Sequence, residues 1–151
     1  MNKIFVYGTL KSPKIQKELF GKKLKMYEAA LKDYSVYEAE DGWYFIDKKD
    51  GNVLYGCVIE LDDKCLEICD AFEYCPEMYQ RRKISVLVNE KIIETYVYIR
   101  VDNIKNRKEI LNYKSFSKYD EDFVIATEIK RFKEIEHPEF YSKDYSQNLI
   151  I

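Results

Sequence analysis

Among the residues able to do chemistry, a carboxylate stands out. On a helical wheel Glu73 falls between Cys69 and Leu66, at the border of an apolar arc, while Asp63 and Asp70 project to the opposite, solvent-facing side. Glu73 also ends a helix, where the negative pole of the backbone dipole disfavours another negative charge, and Phe72, Tyr74 and Pro76 surround it in sequence. Burial and the dipole both raise a carboxyl pKa towards neutrality, the range in which a general base works at physiological pH. The plainer alternative is a frayed helix end, with Glu73 in water or paired to Arg81 or Arg82, and the residues alone leave both readings open.

A second feature is the run Tyr7, Gly8, Thr9, Leu10. It follows an apolar strand and leads towards a helix start, so several backbone N–H groups are left unpaired where Gly8 allows close approach, and such a loop can hold an anionic group. A strand ending in Tyr-Gly-Thr is also an ordinary turn in most proteins. Other chemistry is poorly supplied. Cys65, Cys69 and Cys75 contain no CxxC pair, and the one histidine, His137, lies far along the chain beside Pro138 in a charged stretch that reads as a solvated turn. The four cysteines, Cys57 included, therefore read as buried thiols packing as small hydrophobes, neither metal ligands nor required disulfides.

The elements that must position these groups follow from local pattern. Lys3 to Tyr7 reads as a first strand, and Ser12 followed by Pro13 as an N-cap and first helical residue, with Gly21 closing a short helix. Ala29 to Glu38 and Trp43 to Ile46 read as strands, and Asp47 to Asn52 (DKKDGN) as a hairpin turn with Gly51 supplying the positive φ. Val53 to Leu61 is the most apolar segment and reads as a central strand, with Gly56 marking a bulge or a close approach. Asp62 is the expected N-cap of a helix to about Glu73, on which Leu61, Cys65, Ile68 and Phe72 share one apolar face. Gln80 to Val88 and Lys91 to Arg100 alternate around Asn89 and Glu90 as a β-hairpin. Asn103 to Ser117 is polar and turn-like, Ile125, Ile129 and Phe132 suggest a helix over about Asp120 to Lys133, and the last eighteen residues read as a draped or mobile tail.

Composition bounds the function classes. The 151 residues are 46% hydrophobic and 34% charged, which fits a single domain over 1–151 with its core at about 1–101 and a C-terminal helical extension and tail over 102–151. Lys plus Arg number 25 against 27 Asp plus Glu, and the charges are dispersed, so no nucleic-acid footprint is expected. Apolar runs fall well short of the roughly 20 residues that cross a bilayer, and Met1 to Leu10 lacks the pattern of a signal peptide, so a cytoplasmic protein without a membrane partner is expected.

VYGTLK at Val6 to Lys11, LYGCVIELDD at Leu54 to Asp63 and DAFEYCPEMYQRRKISV at Asp70 to Val86 together resemble the γ-glutamylcyclotransferase-like superfamily, also called avirulence-induced-gene-like. The Asp-x-Phe-Glu-x-Cys-Pro-x-x-Tyr-Gln-Arg pattern is closest to that of the γ-glutamylamine cyclotransferases. The resemblance covers about residues 3 to 100. It implies an α+β fold, a small mixed β-barrel with flanking helices and a cavity at one end, and a cofactor-free reaction that releases 5-oxoproline from a γ-glutamyl amine.

Carried over by position, the resemblance makes Glu73 the catalytic acid/base, Tyr7, Gly8, Thr9 and Leu10 the substrate-binding loop, and Tyr79 a cavity-lining residue, with no metal. Cys75 and Pro76 would shape the turn after the catalytic helix. Beyond Asn103 the match is loose, apart from a Tyr119-Asp120 echo of the family's tail. The chemistry agrees with the residue reading: the substrate's own α-amine attacks its γ-carbonyl, and the protein supplies a base and a geometry but no nucleophile. The rivals are a γ-glutamyl amino acid or peptide cyclotransferase and a non-catalytic ligand-binding domain of the same fold.

Overall fold

The computed structural model describes residues 1–114 and 116–142. Strand β1 (Asn2–Val6) is apolar on both faces because both are covered: Ile4 and Val6 join the core beneath the helices, and Phe5 joins a second core with Tyr7, just past the strand end. A 3-10 turn, Thr9–Lys11, leads into α1 (Pro13–Phe20). The expected caps are in place. Ser12 Oγ accepts the Ile15 N–H at 3.1 Å, Pro13 opens the helix, and Gly21 closes it at φ 75°. Ile15 and Leu19 are fully buried, each worth about 2 kcal/mol of removed apolar surface.

Strands β2 (Lys25–Ala39) and β3 (Tyr44–Leu61) form one long antiparallel hairpin whose tip is residues 40–43. This corrects the turn expected at Asp47–Asn52, which is strand: Trp43 only precedes β3, and the segments expected as two strands are one. The turn chemistry of DKKDGN goes into a register shift between Lys32 and Tyr34. There Gly51 (φ 82°) donates its N–H to Asp33 Oδ1 at 2.9 Å, and Asp33 itself has φ 66°. Gly56 is a site of close approach, since a Cβ there would lie 2.6 Å from Val6 O and 2.7 Å from Phe5 Cζ.

Helix α2 (Asp63–Phe72) follows, with Asp62 Oδ1 capping the Cys65 N–H at 2.8 Å. Strands β4 (Tyr79–Val88) and β5 (Lys91–Arg100) make the expected hairpin, and Asn89 and Glu90 take φ 47° and 66° as a two-residue turn of this hand requires. A sixth strand, β6 (Arg107–Ile110), pairs with Val36 to Ala39 of β2, where the sequence suggested only turns. Helix α3 (Glu121–Phe123) starts at an Asp120 cap and continues through π-helical turns at Val124–Ile129 and Phe132–Glu136.

The fold is mixed α+β, and its sheet closes on itself. β3 pairs with β1, β1 runs parallel to β5, β5 pairs with β4, β4 meets β2 at Ala30 and Leu87, and β2 returns to β3. One core, including Phe5, Tyr7, Leu31, Val58, Val86 and Val97, is shared by the strands alone; the other joins the opposite strand faces to α1, α2 and the C-terminal helical segment. The described part of the tail is draped, not loose: Phe140 is buried and Tyr141 donates its hydroxyl to Leu19 O at 2.8 Å. Residues 143–151 of that expected tail lie outside the described residues. Among the described residues no helix is long and apolar enough to cross a membrane.

Candidate active site

The end of α2 determines where Glu73 sits. The helix closes in a Schellman motif in which Cys75 N–H bonds Asp70 O at 3.0 Å and Tyr74 N–H bonds Ala71 O at 3.1 Å. Tyr74 takes the left-handed position usually given to glycine, at φ 52°, a conformation that costs a side-chain-bearing residue about 1 kcal/mol. Its hydroxyl reaches both carboxylate oxygens of Glu136, at 3.0 and 3.1 Å, tying the helix end to the C-terminal segment. Glu73 is thereby the C-cap residue, its own N–H bonded to Cys69 O at 2.9 Å, with its side chain on the wall of a cavity.

That cavity, of about 120 Å³, is also lined by Tyr7, Gly8, Thr9, Leu10 and Tyr79. The six residues singled out from the sequence are therefore neighbours in space. The loop is held from three sides: Gln16, fully buried, donates from Nε2 to Leu10 O at 2.8 Å, Ser12 Oγ donates to Glu121 Oε2 at 2.5 Å, and Lys11 N–H bonds Gly8 O at 3.0 Å. The opening N–H groups of such a turn have no partner within it, so they remain available to an anionic group.

Around Glu73 the tyrosine hydroxyls are committed elsewhere. Tyr7 donates to Tyr98 O at 3.3 Å, Tyr79 to Tyr44 O at 2.8 Å, and Tyr98 to Asp70 Oδ1 at 2.7 Å. Burial pushes all three phenol pKa values up, so these groups stay protonated as fixed dipoles. Neither arginine suggested as a partner reaches Glu73: Arg81 Nε pairs with Asp70 Oδ1 at 3.0 Å, and Arg82 donates to Gln80. With no cation among the described residues to favour its charged form, the Glu73 carboxyl is pushed up to about 7, first by burial and second by the charge of Asp70.

Asp70 is thus not the solvent-facing residue the helical wheel suggested. It is half-buried against β5, gripped by Tyr98 and Arg81, because a wheel reports the angle of a side chain and not the height of the sheet beside it. The cysteines separate in a similar way. Cys65 and Cys69 are buried as expected, while Cys57 and Cys75 are only partly so, and burial pushes Cys65 and Cys75 up to about 12, leaving them unreactive. Among the described residues no group of three His, Cys, Asp or Glu side chains could hold a metal ion.

Several wall residues had no sequence signal. Trp43 is the last residue of the hairpin tip and Tyr44 the first of β3, and Ser117, Val124 and Glu128 come from the C-terminal segment. That segment is clasped to the tip: Tyr119 lies 4.5 Å from Trp43 between ring centroids and donates its hydroxyl to Asp41 O at 2.8 Å. Gly42, at φ 90°, leaves the room, since a Cβ there would fall 2.5 Å from Lys118 Cε. Arg100 bonds Asp41 and Asp102 while lying 5.7 Å from the centre of the Tyr79 ring, so the tip and the wall are fixed together.

The family model for γ-glutamyl cyclotransferase, AIG2-like proteins matches residues 4–118. This chain belongs to that family. Among its γ-glutamyl cyclotransferase relatives, the putative γ-glutamylcyclotransferase of Methanocaldococcus jannaschii is 26% identical over 77% of this chain and 98% of its own length. γ-Glutamylaminecyclotransferase B of Danio rerio is 32% identical over 46% of this chain, which spans only 38% of that protein. The crystal structure of an AIG2-like protein from Mus musculus superposes with a TM-score of 0.61 at 25% identity, covering 76% of this chain and 88% of that one. The matched segment contains Glu73, the Tyr7–Leu10 turn and Tyr79, and it ends before Val124 and Glu128.

Proposed function

We propose that this protein is a γ-glutamylamine cyclotransferase-type enzyme that releases 5-oxoproline and a free amine from γ-glutamyl amines. The observation that carries the reading is a buried carboxyl pushed up to about 7, Glu73, which has no ion-pair partner among the described residues and shares one cavity with the Tyr7–Leu10 turn. Glu73 takes a proton from the substrate's α-amino group as that nitrogen bonds to the γ-carbonyl carbon. It returns the proton to the leaving nitrogen as the amide C–N bond breaks, so protons and electrons balance and no cofactor is used. Closing a five-membered ring needs the chain folded back on itself, which an enclosing wall favours. The N–H groups that open the turn, which have no partner within it, are suited to the α-carboxylate or to the developing oxyanion.

Glu73→Gln tests this. The variant keeps the shape of the side chain and removes the base, so 5-oxoproline release measured by mass spectrometry should fall by about 10²-fold or more with the fold intact. Undiminished turnover would remove Glu73 from its role. The relative matched over nearly its whole length bears the broader name, which supports a second reading, a cyclotransferase for γ-glutamyl amino acids or peptides. Turnover of γ-glutamyl-alanine well above that of γ-glutamyl-lysine isopeptide would favour it.

A further inference from the structure

Glu73 and Glu128 are the only charged residues on the cavity wall; no Lys, Arg or His lines it among the described residues. Much of the remaining surface is aromatic, with Trp43, Tyr44, Tyr74 and Tyr79 contributing rings. Two carboxylates and a set of π faces enclosed by protein make a site that attracts cations and repels a second carboxylate. Glu73 is already assigned to the reacting bond. Glu128 has no part in that chemistry, and it lies beyond the segment shared with the family.

We propose that Glu128 determines specificity by binding a remote ammonium on the leaving amine, so that the preferred substrates are mono-γ-glutamyl diamines and polyamines. The inference rests on the γ-glutamyl reading above. With the glutamyl end held at the Tyr7–Leu10 turn beside Glu73, the leaving amine occupies the rest of the wall, and Glu128 is the charged group there. The residue is well placed to be a fixed determinant. It sits on the π-helical stretch Val124–Ile129, anchored by buried Val124 and Ile129, and its side chain is 20% exposed.

Arg131 now provides the cation that the ligand would bring. Its guanidinium pairs with Glu128, and its Nε also lies 3.4 Å from Glu136. A substrate ammonium can therefore take Glu128 while Arg131 keeps Glu136, so the exchange leaves no charge unpaired. Arg131 is a competitor for the site, and its removal should strengthen cation binding.

Two substrates differing only in the remote nitrogen test the proposal: mono-γ-glutamyl diaminopentane and γ-glutamyl pentylamine. The expected result is a preference of about tenfold in kcat/KM for the diamine, expressed mainly in KM, the size of one partly buried charge pair. Glu128→Gln should bring the ratio close to one, and Arg131→Gln should increase it. Equal turnover of the two substrates by the native protein, or a ratio that Glu128→Gln leaves unchanged, overturns the proposal.

Binding is measured separately in the Glu73→Gln protein through the fluorescence of Trp43, the one tryptophan of the chain and a wall residue. If neither compound is turned over, the γ-glutamyl reading fails. A tighter diamine titration that Glu128→Gln abolishes still upholds the cation subsite, and indistinguishable titrations overturn it. Should Glu128→Gln fail to fold by circular dichroism, Arg131→Gln decides alone, with a raised diamine preference supporting the proposal and a lowered or unchanged one overturning it.

Discussion

At the first turn of α2, Asp62 accepts the Cys65 N–H at 2.8 Å and faces Lys22 Nζ at 3.5 Å; at the other end, Glu73 has no side-chain donor or cation bonded to it among the described residues. The Cys65 N–H, with Lys22 behind it, holds the Asp62 carboxyl below the usual aspartate range, whereas burial and Asp70 push Glu73 up to about 7. The two ends of one helix therefore solve opposite problems. Asp62 satisfies an orphan N–H and stabilises the fold. Glu73 withholds stability, because a carboxylate enclosed without a partner favours its protonated form, and that is the state of affairs a proton-transfer group requires.

The sharpest way to break this contrast is to follow stability against pH in Glu73→Gln. The folded protein holds the Glu73 proton up to about pH 7, while the unfolded chain releases it near the ordinary value of 4.5. Between those values the folded state binds more protons, so this residue makes the native protein less stable as pH rises, by up to about 3 kcal/mol in full above pH 7. Urea unfolding should show Glu73→Gln more stable than the native protein at pH 8 and little different at pH 4.5, while activity is lost. Parallel stability curves for the two proteins would mean that Glu73 carries no such penalty. The native kcat/KM should fall as pH drops through about 7, since the base must be ionised.

Both ends of α2 were legible in sequence because their signals are local: a capping aspartate three residues before the N–H it binds, and a carboxyl at the edge of an apolar arc. The same holds for the Ser12-Pro13 start, the Gly21 stop and the Asn89-Glu90 hairpin. What the sequence hid depends on partners far along the chain. DKKDGN has the composition of a turn, yet Gly51 and Asp33 spend it on a bulge within a long hairpin. RKEI of β6 is too polar to announce a strand. It is held by Glu109 bonds to Ser35 and Lys49 and by Arg107 lying 4.2 Å from the Tyr37 ring, none of them local. In the site, Glu73, the Tyr7–Leu10 turn and Tyr79 were marked by motif, whereas Trp43, clasped by Tyr119 at the hairpin tip, and Glu128, on the stretch anchored by buried Val124 and Ile129, reach the cavity through packing between segments far apart in the chain.

A smaller effect is expected at the other end. Asp62→Ala removes the cap and should cost about 1 kcal/mol in urea unfolding at neutral pH while the acid limb of kcat/KM stays where it was. The sign of its pH dependence is opposite to that of Glu73. A carboxyl held below its ordinary value contributes stability above that value and loses it as pH falls through the depressed one, so the native protein and Asp62→Ala should converge in acid. A shifted acid limb in Asp62→Ala would show that the two ends are electrostatically coupled and that the contrast between them is not local.

The finest adjustment lies between the two ends, at Asp70. Its charge is the second cause of the raised Glu73 pKa, after burial. Asp70→Asn removes that charge and keeps an oxygen to accept the Tyr98 hydroxyl, so the wall should hold its shape. It also releases from its carboxylate partner the Arg81 guanidinium, which does not reach Glu73. The acid limb of kcat/KM should therefore move to lower pH by less than about one unit, since burial, the larger cause, is untouched. An acid limb that does not move would assign the whole shift to burial, and one that moves upward would mean that Asp70 keeps Glu73 ionisable through the wall it braces and not through its charge.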